Sequence, residues 1–345
     1  MAVKAMPQAT QRQQLDFPSE RGEFRAEQLE FPWAAGGAAV RELRERGRRL
    51  AAASRAANTA RAYESDWRIF AAWCCSFGRE SLPASGETLE LWVAQHAGKW
   101  RASTVARRLT AIGAEHRRRG LVDASKCDSV RQVLAGLRRS DRRRPGVKAA
   151  VSIEELRRMV GAARKLDPPR AERDAAILLL GFAGGFRRSE LAGLDLVDVR
   201  VRREGVEVEL RRSKTDQESF GRVVSIARGS HVETCPVRAL DGWMVERGPW
   251  LGPLFVRMDR FGRISGNRMS GQAIAAVVKR AAAGAGLDPD RYAGHSLRSG
   301  LVTAAHEAGR SDTAIMLTTG HRSVNTLVRY VRGNGFAVAA ARGLL

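Results

Sequence analysis

The chain has 345 residues, enough for two domains and a sizeable core. Lys and Arg number 59 against 37 Asp and Glu, a net charge of +22, which points to a polyanionic partner: DNA, RNA or, less readily, an anionic membrane. Residues 175–186 form the most apolar run. It is shorter than the roughly 20 residues of a membrane span, and the start of the chain lacks the apolar stretch of a secretory signal. Only seven of the basic residues are lysine, a bias that genome composition can produce without adding net charge. The four cysteines (Cys74, Cys75, Cys127, Cys235) form no CxxC, so a reducing, cytoplasmic location is expected.

Residues 1–50 read as a partly disordered arm with one basic helix from Ala38. Residues 51–138 read as a small helical domain. Trp67, Phe70, Cys74 and Phe77 share one helical face, and Ser85 caps a helix carrying Leu89, Trp92 and Val93. A third helix carries Val105, Leu109, Ile112 and His116, and a fourth carries Val130, Val133, Leu134 and Leu137. Its arginines Arg107, Arg108, Arg117, Arg118 and Arg119 read as an exposed basic face. Residues 139–150, with Arg142, Arg143 and Arg144 before Pro145-Gly146, read as a linker. It is either a solvated loop or a basic strap across nucleic acid, and the net charge favours the strap.

The second domain spans residues 151–345. Ser152 with Glu155 forms a capping box, and the helix from Ala171 to Ala183 is apolar nearly all round. Val206, Val208 and Leu210 alternate with charged residues as a half-buried strand, and residues 222–226 return as its partner around a polar tip that carries Lys214. Pro236 opens another helix, and from Ser270 the pattern is helical. The fold class is therefore mainly α with two domains: a four-helix domain, then a mixed α/β domain with a small antiparallel sheet.

Several chemistries lack their motifs. There is no GxxxxGK[ST], no HExxH and no GxSxG, and His231 with Cys235 lacks two further ligands for zinc. No metal or cofactor is expected. Four cationic or imidazole elements remain: GGFRRSEL with Arg187 and Glu190, Lys214 in SKTD, GHSLRSG with His295 and Arg298, and GHRSVNTLVRY with His321 and Tyr330 nine residues apart. Each is weak alone.

In this order and spacing, the second domain resembles the catalytic domain of the tyrosine recombinases, or phage-type integrases. Their boxes are similar to GFRRSEL, HSLR and GH…Y here, and the first domain resembles their SAM-like core-binding domain. The last 55 residues look closest to Cre-type members, whose Trp is replaced by His321. The resemblance implies a site-specific recombinase that cuts and rejoins DNA through a 3′-phosphotyrosine and a Holliday junction, without metal or ATP. It implies Arg187, Lys214, His295, Arg298, His321 and the nucleophile Tyr330 as catalytic residues, with Glu190 as a brace. It also implies a homotetramer on two duplexes bearing inverted repeats, a role in DNA integration or another mobile element, and a C-terminal assembly tail.

The residue types suit that chemistry. Arg187 and Arg298 can fork around a phosphate, and Lys214 can protonate a leaving oxygen. A free tyrosine has a pKa of about 10, so only about 0.1% is phenolate at neutral pH and a base or nearby cations must assist. His295 is the base by resemblance. Arg188 could replace Arg187 if the turn shifted by one residue, and Tyr292 is the rival nucleophile among the three tyrosines. Two alternatives stay open: a type IB topoisomerase that reseals the original strand, and a non-catalytic DNA-binding protein.

Overall fold

The computed structural model describes residues 38–53, 57–143, 148–211, 221–324 and 327. Lys214, Tyr330, Arg144 and the assembly tail expected after residue 335 lie outside the described residues. The chain divides into two compact units, 1–142 and 143–345.

Among the described residues, the first unit is built of helices: α1 (Ala38–Ala53), α2 (Ala57–Ser76), α3 (Gly86–His96), α4 (Ala102–Arg118) and α5 (Asp128–Ser140). The Ser85 hydroxyl accepts from the Thr88 amide and so satisfies one of the free N–H groups at the start of α3. The inward faces of α2 to α5 meet around Phe70, Leu89, Trp92, Val105, Ile112 and Val130, with the Phe70 and Trp92 rings edge to face at 5.8 Å. His116 belongs to this core. Its Nε2 accepts from the Ala84 amide at 2.9 Å, so Nδ1 carries the proton and donates to the Ile112 carbonyl.

The second unit begins with α6 (Ile153–Ala163), capped reciprocally by Ser152 and Glu155 as the sequence predicts. Next come α7 (Pro168–Ala183) and α8 (Arg188–Gly193). Strands β1 (Val199–Val201), β2 (Gly205–Leu210) and β3 (Arg222–Ala227) form an antiparallel sheet in that order, with Leu210 opposite Arg222. Helix α9 (Pro236–Arg247) and the hairpin β4 (Val256–Met258) with β5 (Ile264–Arg268) precede α10 (Gly271–Gly284), α11 (Ser296–Glu307) and α12 (Asp312–Thr319). Helix α7 packs against α6, α9 and α11 and is buried from Ala175 to Gly181. Each such aliphatic side chain contributes roughly 1.5–3 kcal/mol when fully buried. This rigid centre carries the residues discussed next. No helix among the described residues is long and apolar enough to cross a membrane.

Candidate active site

The buried helix α7 ends at Gly184, and Gly185 takes a left-handed φ of +56° that turns the chain outward. A Cβ at Gly185 would sit 2.8 Å from Leu301 Cδ2 and 2.9 Å from Thr319 Cγ2, so glycine is required both for the dihedral and for the space. Phe186 is wholly buried and pins the turn. Arg187 then stands at the cap of α8. Glu190, buried one turn later, accepts from the Arg187 backbone amide at 2.8 Å and from its Nη1 at 2.5 Å. Arg188 points elsewhere: it is exposed, and its stem lies against Gly271 and Gly294. Arg187 is thus the arginine held by the buried carboxylate.

Arg298, on the first turn of α11, is fully buried. Its Nη1 donates to the Gly185 carbonyl at 2.8 Å, and its Nη2 lies 3.0 Å from His321 Nε2. Guanidinium can only donate, so His321 Nε2 is the acceptor and the ring proton sits on Nδ1. Nδ1 donates to Thr319 Oγ1 at 2.8 Å, and that hydroxyl donates to the Ile315 carbonyl at 2.6 Å. Gly320, at φ +68°, ends α12 and aims His321 inward.

Burial pushes the His321 pKa down to about 4, helped by the positive neighbours Arg298, Arg187 and Arg222. His295 caps α11. Its residue surface is largely open, yet protein atoms crowd its ring. Desolvation lowers its pKa, and Arg298, Arg187 and Arg188 add to the effect. Both imidazoles are therefore neutral at pH 7 in a pocket whose charge is carried by arginines. Among the described residues, no group of three or more His, Cys, Asp or Glu side chains could hold a metal ion.

Of the predicted catalytic set, Arg187, His295, Arg298 and His321 converge here with Glu190 behind them. The rival nucleophile Tyr292 is buried and its hydroxyl donates to Glu155 Oε1 at 2.7 Å. Burial, then this carboxylate, pushes its pKa up to about 12. Two residues here escaped the sequence reading. Thr319 holds the His321 ring, and Arg222 at the start of β3 reaches Glu190. Neither lies in a motif box, and the only sequence hint for Thr319 is its place two residues before His321.

The basic face of the first unit is largely paired within itself. Arg108 has 13% of its side chain exposed, stacks over Trp100 at 3.6 Å and pairs with Asp66 at 3.4 Å. Arg107 pairs with the same carboxylate, Arg117 with Asp123, and Arg118 and Arg119 with Glu115 at 2.7 and 3.0 Å. Arg142 and Arg143 are exposed.

A model described as the phage integrase family matches residues 150–335, more than half of the chain and the whole of this constellation. The chain belongs to the phage integrase family. A relative described as an integrase/recombinase XerD homolog from Selenomonas ruminantium is 35% identical over 289 residues, covering 82% of this chain and 84% of that one. The tyrosine recombinase XerD of Mycobacterium leprae is 29% identical over 294 residues, covering 80% and 86%. The fold matches a lambda integrase dimer bound to a COC′ core site, with a TM-score of 0.56 at 16% identity over 85% of this chain and 77% of that one. It also matches XerH bound to a palindromic difH substrate, with a TM-score of 0.52 at 17% identity over 72% and 69%. This phage-integrase-family chain is an enzyme, a tyrosine-type site-specific recombinase.

Proposed function

We propose that the chain binds duplex DNA at inverted-repeat sites and exchanges strands through a covalent phosphotyrosine. The observation that carries this is the convergence of Arg187, Arg298, His295 and His321 in one cluster. The Arg187 and Arg298 guanidinium groups would neutralise the non-bridging oxygens of a phosphodiester seated beside them as charge builds on those oxygens. The Tyr330 oxygen attacks phosphorus, the bond to the 5′-oxygen breaks, and a 3′-phosphotyrosine and a free 5′-hydroxyl result. His295, neutral at rest, takes the phenolic proton; Lys214 gives a proton to the leaving oxygen. The bound phosphate also adds negative charge beside His321. That favours protonation of Nε2 and turns an acceptor for Arg298 into a donor to phosphate. A 5′-hydroxyl from a second duplex then reverses the chemistry and forms a Holliday junction. The phosphotyrosine conserves the bond, so no ATP enters the scheme, and Arg187, Arg298 and Lys214 supply the positive charge that a metal would otherwise bring.

Four protomers on two duplexes, joined through the chain's last ten or so residues, complete this reading. Arg107, Arg117, Arg118, Arg142, Arg143 and Arg144 would line the DNA path. A requirement for two target sites separates recombination from topoisomerase-like resealing, which needs one.

The test is covalent capture on a nicked suicide duplex chosen by selecting bound sequences from a random pool. Tyr330→Phe keeps binding and loses the covalent band on a denaturing gel; Tyr292→Phe keeps both. A covalent band from Tyr330→Phe would overturn the assignment of the nucleophile.

A further inference from the structure

Arg222 opens β3, opposite Leu210, at the foot of the connection that carries Lys214. Its side chain is only 18% exposed and turns away from the sheet toward two other elements. One side lies 3.5 Å from Glu190 Oε2, the carboxylate that holds Arg187. On the other side, Nη1 donates to the carbonyl oxygens of Thr318 and Leu317, at the C-terminal end of α12.

The last carbonyls of a helix lack partners within it, and a cation there also offsets the negative end of the helix dipole. Gly320 makes room for the group: a Cβ at that position would stand 3.0 Å from the Arg222 Nε and Cζ. The contacts therefore close into a ring. They run from Arg187 to Glu190, from Glu190 to Arg222, and from Arg222 to the end of α12 and along the chain to His321. From His321 they pass to Arg298 and from Arg298 to Gly185, two residues before Arg187. Within this ring, Arg222 joins α8 to α12.

We infer that Arg222 is a positioning residue of the active site, fixing Arg187 and His321 relative to each other by bridging Glu190 and the C-terminus of α12. Its role rests on the phosphodiester cleavage proposed above. A buried cation between a buried carboxylate and two carbonyls has a defined geometry, whereas an apolar substitute would leave Glu190 with one partner and the Leu317 and Thr318 carbonyls without this donor. A misplacement of the phosphate-binding groups by about 1 Å costs on the order of 100-fold in rate.

The experiment uses the full chain with R222Q, R222K, E190Q and the two doubles, read by single-turnover covalent capture, half-site band shift and thermal unfolding. R222Q should slow capture about 10- to 100-fold while half-site affinity stays near wild type. R222K, which keeps the charge but cannot fork to both partners, should recover part of the rate. The R222Q and E190Q defects should be strongly non-additive, because one acts through the other. A duplex with sulfur in place of the bridging 5′-oxygen needs no acid. It should rescue Lys214→Ala but leave the R222Q defect in place.

Additive defects, or sulfur rescue of R222Q, would overturn the role; sulfur rescue would place Arg222 with the leaving group instead. If R222Q melts below the assay temperature, R222K with E190Q carries the same cycle. Absence of any covalent band from the wild-type chain would sink the cleavage reading, and the role of Arg222 with it. Failure of sulfur to rescue Lys214→Ala would remove only the lysine's acid role, leaving Arg222 to be judged by its coupling to Glu190.

Discussion

At His321, Arg298 on one side and the Thr319 hydroxyl on the other decide which nitrogen carries the proton. Thr319 Oγ1 accepts from Nδ1 and donates its own O–H to the Ile315 carbonyl, leaving Nε2 as the acceptor that faces Arg298. Thr319→Val keeps the shape and removes the hydroxyl, so a buried Nδ1–H loses its partner at a cost of about 1–3 kcal/mol. The ring is then held on its Arg298 side alone and can turn out of place. Covalent capture should slow while half-site affinity holds; an unchanged capture rate would show that Thr319 does not govern the imidazole.

The same residue sets a pH dependence. Unfolded histidine titrates near 6.5, whereas folded His321 titrates at about 4. Between those values the unfolded chain binds more protons, so this contribution to stability is complete above pH 6.5 and is lost as pH falls toward 4. Between pH 7 and 5 the loss amounts to about 2 kcal/mol. Urea unfolding at both pH values should show His321→Gln losing less than wild type by about that amount. Equal losses would mean that the histidine is not held neutral.

At the scale of elements, the turn from α7 into α8 makes a claim that glycine substitutions can check. Gly185→Ala places a side chain at a left-handed φ, costing about 1–2 kcal/mol, and crowds Leu301 and Thr319 for about 1–3 more. It also shifts the carbonyl that Arg298 uses, so capture should slow beyond what stability alone explains. Gly161, inside α6 with nothing near its Cβ position, is the control; Gly161→Ala should stabilise by about 0.5–1 kcal/mol. Equal behaviour of the two variants in thermal unfolding would refute the account of the turn.

Elements with a strong period or a cap were legible in the sequence. The four helices α2 to α5, the α6 capping box and strands β2 and β3 fall where apolar spacing or side-chain caps predict them. β1 and β4 are three residues long, too short to show a period, and β5 is mostly exposed, so its residues do not alternate. The catalytic boxes were legible because each is local. Arg222 was not, because its partners are 32 positions earlier, at Glu190, and 96 later, at Thr318, and only the folded chain brings them together. Arg107, Arg108 and Arg117 of α4 read as a basic face because their partners Asp66 and Asp123 lie outside the helix.

For the whole molecule, that pairing changes what the net charge of +22 means for DNA binding. Each arginine that neutralises a phosphate releases counterions and steepens the salt dependence by about 0.9 per contact. An arginine already bound to a carboxylate and stacked on a tryptophan has less to give, and removing it costs packing instead. Arg108 is such a residue: it packs over Trp100 and beside Asp66. Arg142 is exposed at the end of the first unit. Arg142→Gln should therefore lower the slope of log K against log salt by about 1 and leave thermal stability unchanged. Arg108→Gln should leave that slope nearly unchanged and lower the midpoint of thermal unfolding, since it strips one of two cations from buried Asp66. Band-shift titrations across a salt series, run beside thermal melts, measure both quantities. A large slope change from Arg108→Gln with no loss of stability would return Arg108 to the DNA interface and reverse its assignment as a packing residue.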